Sequence, residues 1–531
     1  MQPRQSSAHW TLWLAIAVLM LVGVVPLCVL FVQSFEVNGV ASNGKYAQVF
    51  GRSRAWMLLL NSVVLAGAST VLAVLISVPL AVVAVKTRVP LMRLIVTIFC
   101  LPLLFPPYVL ANGWFQILGR QGLLSRWFGE AVGEATSSWL FGLPGGVLVL
   151  GTAFLPVVLL LSIAAISGVN PAMEEAARLH CGWPKVLKYI TLPLARPGMA
   201  LSIMLTFLLA MGEFAAPSFL RLSVFPVESF TQFSAFYDTG AAAAASVPLG
   251  LIALLLMIAS RHWIDAGSRH FRWGRSGPGQ ISFGSFDRWI AAGVLAIAAA
   301  LVILPCGALV ANGLSVTAIT EAWRRASDSM AWSLLYSTLA ATGITVLGFF
   351  LGYASQRRSI RGSGFIGMTT LVLFALPGTL IGIAMVTTWN RPSLAWLYAS
   401  PAALIVGFMM QYAAVGERGI ASSLAQISPS VEEAAQIAGA TWFHRVRAIL
   451  VPSLRGSLFA VWMLAFILCL RDASVPLFLS PPGQDTLTAR TLTLMANGSQ
   501  ELISALCLFS MALPIVPAVL WAVFLRGARR S

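Results

Sequence analysis

The stretches EEAARLHCGWPKVLKYITLP at residues 174–193 and EEAAQIAGATWFHRVRAILVP at residues 432–452 are one polar cassette written twice into a strongly apolar chain. A polar, alanine-rich helix–turn–helix flanked by apolar runs is no core element. It must be presented to something on one side of a bilayer, and it reads as a docking lever for a partner. The composition around it agrees. Of 531 residues, 58% are hydrophobic and 10% charged, where soluble domains carry roughly 25% charged residues.

Apolar runs long enough for a helix to cross the hydrocarbon core recur along the whole length. They fall at 10–33, 57–85, 93–118, 144–168, 198–220, 244–263, 289–313, 332–355, 364–389, 401–416, 456–479 and 502–525, the tenth being the shortest. The fold class is therefore all-α, a polytopic membrane protein of about twelve transmembrane helices. No alternating segments of the kind a β-barrel needs are visible. The first run follows Arg4 but is too long for a signal peptide and is expected to be retained.

With the N-terminus inside, the cytoplasmic segments hold 23 of the 34 Lys/Arg and 7 of the 18 Asp/Glu, against 10 basic and 9 acidic residues outside. The net charge of +16 thus sits on the cytoplasmic side, as the positive-inside rule requires. Both termini are expected to be cytoplasmic. The basic residues are scattered among short loops, which suits contact with anionic lipid headgroups and not nucleic acid. Cys28, Cys100, Cys181, Cys306, Cys469 and Cys507 show no paired spacing, and His9, His180, His262, His270 and His444 all lie outside the spans. Neither set suggests a disulfide framework, a metal site or a proton relay.

The duplication extends beyond the cassettes. Leu59-Leu60-Asn61-Ser62, Leu101-Pro102 and Trp114 match Leu334-Leu335-Tyr336-Ser337, Leu376-Pro377 and Trp389 at an offset of 275, whereas Glu175 and Glu433 are 258 apart. The 17 surplus residues of the first half are assigned to the segment around 115–140, where a loop can grow cheaply. Six spans per half give two parallel six-helix repeats with a pathway between them. The division is 1–263 for the first half with its loop 170–193, 264–287 for a cytoplasmic linker rich in Gly, Ser and basic residues, and 288–531 for the second half with its loop 428–452.

Each cassette opens on a helix-start signal, Asn170-Pro171 or Ser428-Pro429. Glu174, Glu175, Glu432 and Glu433 then lie early in the helix, where carboxylates complement the positive dipole end. Ala176-Ala177 and Ala434-Ala435 make a surface small enough for close approach. Gly439 lets the chain turn, and Pro193 and Pro452 are expected to stop a second short helix before the next span.

These cassettes resemble the EAA loop of bacterial ABC-importer permeases, a Glu-Ala-Ala, three residues, a glycine and a closing hydrophobic-Leu-Pro. Glu433-Ala434-Ala435, Gly439 and Val451-Pro452 follow it closely. Glu175-Ala176-Ala177 and Leu192-Pro193 follow it with one residue missing and Cys181 where the glycine belongs, Gly182 coming next. That departure puts the equivalence of the two loops in question. The resemblance implies a fused pair of permease domains in the bacterial inner membrane, two copies of a separate cytoplasmic ATPase and a solute-binding protein outside. It implies loop glutamates that contact the ATPase, with ATP and magnesium bound there and no cofactor on this chain. The residues Gly39 to Lys45 imitate a phosphate loop, but Tyr46 stands where Ser or Thr would hold magnesium.

Glu213 and Asp472 occupy matching positions 259 apart, and Arg471 adjoins the second. Ionisable groups within spans normally face a cavity or a partner. An ion-pair role and a pathway role both stay open for these three residues. Pro217 and Pro476 just beyond, with Pro106-Pro107 and Pro377-Gly378, predict broken helices near a conduit. The segments GWFQILGRQGLL, GEFAAPSFLRLSVFPVESFTQF and SPPGQDTLTARTL resemble those of ferric-iron importer permeases, a group that shades into thiamine, phosphonate and polyamine permeases. A duplicated secondary transporter using Glu213 and Asp472 as proton carriers is the alternative of a different class.

Overall fold

The computed structural model describes residues 6–37, 40–41, 44–270, 281, 286–357 and 364–528. The expected linker at 264–287 lies largely outside them, as do residues 39, 42 and 43 of the phosphate-loop look-alike. Among the described residues the regular secondary structure is helical apart from a two-residue strand pair, Glu36–Val37 against Val40–Ala41, and an isolated bridge between Thr87 and Ile281.

Eight helices among the described residues are long and apolar enough to cross a membrane, or ten if each of two bent pairs counts as one span. They fall on the first nine and the eleventh of the expected runs. The tenth run is the helix Pro401–Leu424, which carries Glu417 and Arg418, and the twelfth is Gln500–Ala528. The third run divides into Met92–Leu103 and Pro107–Phe128, bent by 103°, and the ninth into Gly364–Ala375 and Gly378–Trp389, bent by 102°. Both breaks fall at the prolines that predicted them. The 17 surplus residues also fall where expected. From Trp114 to the next span at Leu143 is 29 residues, from Trp389 to Pro401 is 12, and the difference is filled by the helices Leu123–Phe128 and Glu130–Leu140.

Two expectations need correction. Pro193 and Pro452 do not end a separate helix, because Trp183–Gly212 and Trp442–Arg471 run unbroken from cassette into span. A wide π-type turn precedes each proline, Leu187–Thr191 and Val446–Leu450. Leu192 N–H reaches back to Leu187 O and Val451 N–H to Val446 O, so the ladder shifts register just before the residue that has no N–H to give. Likewise Pro217 and Pro476 are not themselves the break points of the fifth and eleventh spans. The helices end earlier, at Gly212 and Arg471, and each proline sits in the first turn of a new short helix, Ala215–Phe219 or Ser474–Leu479.

The halves exchange their first spans. Leu12, Leu19 and Leu30 of the first span are buried in one cluster with Ile381 and Phe408 of the second half. Ala298 and Val302 of the seventh span are buried with Leu80, Ile95 and Leu155 of the first. Glycines mark the closest approaches: a Cβ on Gly113 would meet Pro305 O at 2.6 Å, and one on Gly348 would meet the Gly416 backbone at 2.4 Å. Small residues let membrane helices gain dispersion contacts where no hydrophobic driving force separates helix from lipid. Gly348→Val is therefore expected to lower the thermal unfolding midpoint in detergent, with an overpacking cost of about 1–3 kcal/mol. Gly67→Ala, where nothing lies within 4 Å of the added methyl, should leave the midpoint unchanged.

Candidate functional site

Both cassette helices start as the sequence dictates. Asn170 Oδ1 accepts the Ala172 N–H at 3.0 Å above Pro171–Arg178, and Ser428 Oγ accepts the Ser430 N–H at 3.4 Å above Pro429–Ile437. Their far ends differ. Gly439 takes a left-handed φ of +87°, and the Ala440 N–H closes on Ala435 O at 2.9 Å, the six-residue bond of a glycine-capped helix end. The first loop, one residue shorter, closes with the His180 and Cys181 N–H groups both on Ala177 O, and Gly182 is extended at φ −75°.

The four cassette glutamates divide into two inward and two outward. Glu174 and Glu432 are only 2% and 6% exposed. Glu174 Oε2 pairs with Lys86 Nζ at 2.8 Å while its Oε1 accepts the Thr191 hydroxyl at 2.6 Å. Glu432 Oε1 pairs with Arg357 Nε at 2.8 Å, and its Oε2 accepts the Tyr353 hydroxyl at 2.9 Å. Arg357 also donates to Ile427 O at 3.0 Å, and Arg445 donates to Glu432 O at 3.4 Å and Gln436 Oε1 at 2.9 Å. Such a pair is sound only while complete. Removing one partner strands a buried charge, at a cost of about 3–5 kcal/mol.

Glu175, Ala176, Glu433 and Ala434 are exposed, Ala177 and Ala435 half-buried, and Gly182 and Gly439 exposed. Beside the outward glutamates stand apolar residues the sequence reading passed over. Leu179 is 83% and Ile437 88% exposed, and Met173 and Val431 are exposed as well. Each pair is separated by the cassette offset, so one ridge of apolar and acidic residues is displayed twice. Exposed apolar residues repeated at one offset are a feature that a bundle core does not explain. The repeat itself was the signal that could have found it.

At the centre of the bundle, the carboxylates of Glu213 and Asp472 cap the short helices beyond the two breaks. Glu213 Oε1 accepts the Ala215 N–H at 3.0 Å. Asp472 Oδ1 accepts the Ser474 N–H at 2.7 Å, and its Oδ2 accepts the Tyr412 hydroxyl at 3.0 Å. Among the described residues no ion pair joins Arg471 to either acid. Its guanidinium crosses to the first half instead, donating to Leu103 O at 3.1 Å and lying 5.8 Å from the Phe154 ring centre. Leu103 ends the first segment of the broken third span. The broken ninth span has its own donor, Gln411 Nε2 to Leu376 O at 3.2 Å. Gly212 matches Arg471 in the first half, and a Cβ there would meet Pro377 Cα at 3.1 Å. Each fifth-span end thus abuts the other half's broken helix, once through glycine and once through arginine.

Farther from the cassettes, a cavity of about 450 Å³ opens between the halves, lined by Phe115, Phe214, Phe219, Phe230, Arg221 and Gln500 among others. Lys45 of the phosphate-loop look-alike pairs with Asp238 at 2.5 Å.

The family described as binding-protein-dependent transport system inner membrane component matches the chain twice, over residues 69–269 and 344–530. The chain is 24% identical over 405 residues to a putative ferric transport system permease protein of Haemophilus influenzae, covering 71% of this chain and 63%, less than two thirds, of that relative's length. It is 22% identical over 511 residues to a ferric transport system permease protein of Actinobacillus pleuropneumoniae, covering 90% of this chain and 72% of the relative. Against a molybdenum transport system permease protein of Escherichia coli it is 30% identical over 215 residues, covering 37% of this chain and 90% of the relative.

The loops' unequal tethers have a measurable consequence. The buried glutamate of the second is held by an arginine and a tyrosine, with a second arginine on its carbonyl, and that of the first by a lysine and a threonine. One extra hydrogen bond to a charged group contributes about 1.5 kcal/mol, so amides of residues 429–437 should exchange about tenfold more slowly than those of 171–178 in hydrogen-exchange mass spectrometry.

Proposed function

Because the chain belongs to the family of binding-protein-dependent transport system inner membrane components, we propose that it is the fused permease of an importer for iron(III), driven by two copies of a separate cytoplasmic ATPase and fed by a solute-binding protein. The observation that supports this is the cassette written twice with Leu179 and Ile437 exposed beside Glu175 and Glu433, a surface suited to a soluble partner. In this reading Glu175, Ala176, Ala177, Gly182, Glu433, Ala434, Ala435 and Gly439 belong to the docking face, whereas Glu174 and Glu432 hold the loops in place. The chain has no ATPase function of its own, and ATP and magnesium belong to the partner. The cassette side is cytoplasmic, as are both termini, and the halves divide at 264–287. Iron(III) as solute rests on the two ferric relatives that cover most of the chain.

Glu213, Arg471 and Asp472 belong to the pathway in this proposal, at the breaks where the halves meet. They hold the helices around the breaks by capping and cross-bracing, and the solute passes when those contacts open.

Two experiments test the reading. Glu433→Lys is expected to abolish co-purification of the ATPase and to reduce ATP-dependent uptake of radioactive iron(III) at least about tenfold, roughly the 1.4 kcal/mol of one lost charged contact. Uptake that persists without ATP and follows a proton gradient would establish the secondary transporter instead. Asp472→Asn keeps an oxygen to cap Ser474 but loses the charge. It should therefore accumulate and bind the ATPase normally while its uptake rate changes, and loss of folding alone would leave Asp472 a structural residue.

A further inference from the structure

Lys86 and Arg357 lie outside the cassettes, yet each ends a long span and each holds a cassette carboxylate in the interior. Lys86 is the last residue of Ser53–Lys86, and Arg357 follows Val316–Gln356 directly. The internal alignment does not pair them. At the offset of 275 that relates these spans, Arg357 corresponds to Val82 and Lys86 to Arg361. Two cations from positions one helical turn apart therefore reach the matched carboxylates Glu174 and Glu432, at 2.8 Å each. A copied loop would have brought a copied partner. The repeated outcome from different positions indicates that the link itself is what matters.

Resting on the docking proposal above, we propose that Lys86 and Arg357 are positioning residues of the coupling machinery. They lash each docking helix to the end of the second or eighth span, so that a displacement of the loop enters that span directly as well as through the chain. The cassette helices are eight and nine residues long. Without the lashing they are joined to the bundle mainly at their ends, and a push would be taken up by bending there. With it, the force is delivered to helices of 34 and 41 residues, the longer of which is in backbone contact with the tenth run at Gly348 and Gly416.

The first lashing has a further tie. Ile281, from the segment that joins the halves, donates its N–H to Lys86 O at 3.0 Å and accepts the Arg88 N–H at 3.2 Å. Ile281 is thereby pinned to the residue that holds the first loop.

The test follows hydrogen exchange in the full chain assembled with its ATPase, with and without ATP plus vanadate to trap the nucleotide-bound state. In the unaltered protein, trapping should change exchange about threefold or more both in the docking helices, 171–178 and 429–437, and in the span ends, 80–86 and 350–356. In Lys86→Met and Arg357→Met the change should persist in the docking helices and disappear from the corresponding span end. Lys86→Arg and Arg357→Lys should restore it. Span ends that respond equally in the Met variants, or conservative variants as defective as the Met ones, would overturn the proposal. Should the Met variants fail to accumulate, Glu174→Gln and Glu432→Gln keep the hydrogen-bonding shape and remove the charge. A normal span response in those two is likewise fatal. A wild-type chain that recruits no ATPase, or shows no response in its docking helices, refutes the docking proposal and not the lashing alone.

Discussion

A peptide group left unpaired in hydrocarbon costs several kcal/mol, so every interruption of a membrane helix must be repaired by a neighbour. This chain interrupts its helices at its centre and repairs each interruption from a side chain. The carbonyl of Leu103 takes a proton donor from Arg471, and that of Leu376 takes one from Gln411. The amides beyond the other two breaks are capped by Glu213 and Asp472. The polar residues that look expensive in the spans are the ones that make broken helices tolerable. They also gather the breaks at the surface between the halves.

The same economy governs the ends of the bundle. A short amphipathic loop would drift on a membrane surface unless it were fixed, and burying a carboxylate against a cation fixes it in one orientation. The inward glutamates of the cassettes do this, and their neighbours are thereby aimed outward. Outward display of Glu175 and Glu433 and attachment of the loop are two consequences of one helix with adjacent acids. The two attachments differ in kind: the cation at the second loop is an arginine, whose fork reaches Glu432 and Ile427 O together, whereas the lysine at the first loop is a single-point charge.

The exchange of first spans makes the two halves one body. The first span closes over the second half and the seventh over the first, so neither half has a complete core alone. Gly113, Gly212 and Gly348 let the helices approach closely at their contacts.

Apolar runs, helix-start residues, break prolines and the offsets between halves were all legible in the sequence, because each depends on local backbone chemistry or on counting. That reading also placed the extra residues of the first half in the right segment. It missed Lys86, Arg357 and Tyr353 as partners, since a basic or aromatic residue at the end of a span looks like any membrane-interface anchor. It also took Pro193 and Pro452 for stops, where a π-type turn carries the helix through. Adjacent residues on a helix point about 100° apart, so of Glu174 and Glu175 only one can face the bundle. The sequence by itself determined only that adjacent acids stand early in each cassette helix, and its reading took all four for partner contacts. Only the tertiary structure decided which one faces the bundle, because the choice belongs to a cation that lies 88 residues from Glu174 in the first half and 75 from Glu432 in the second.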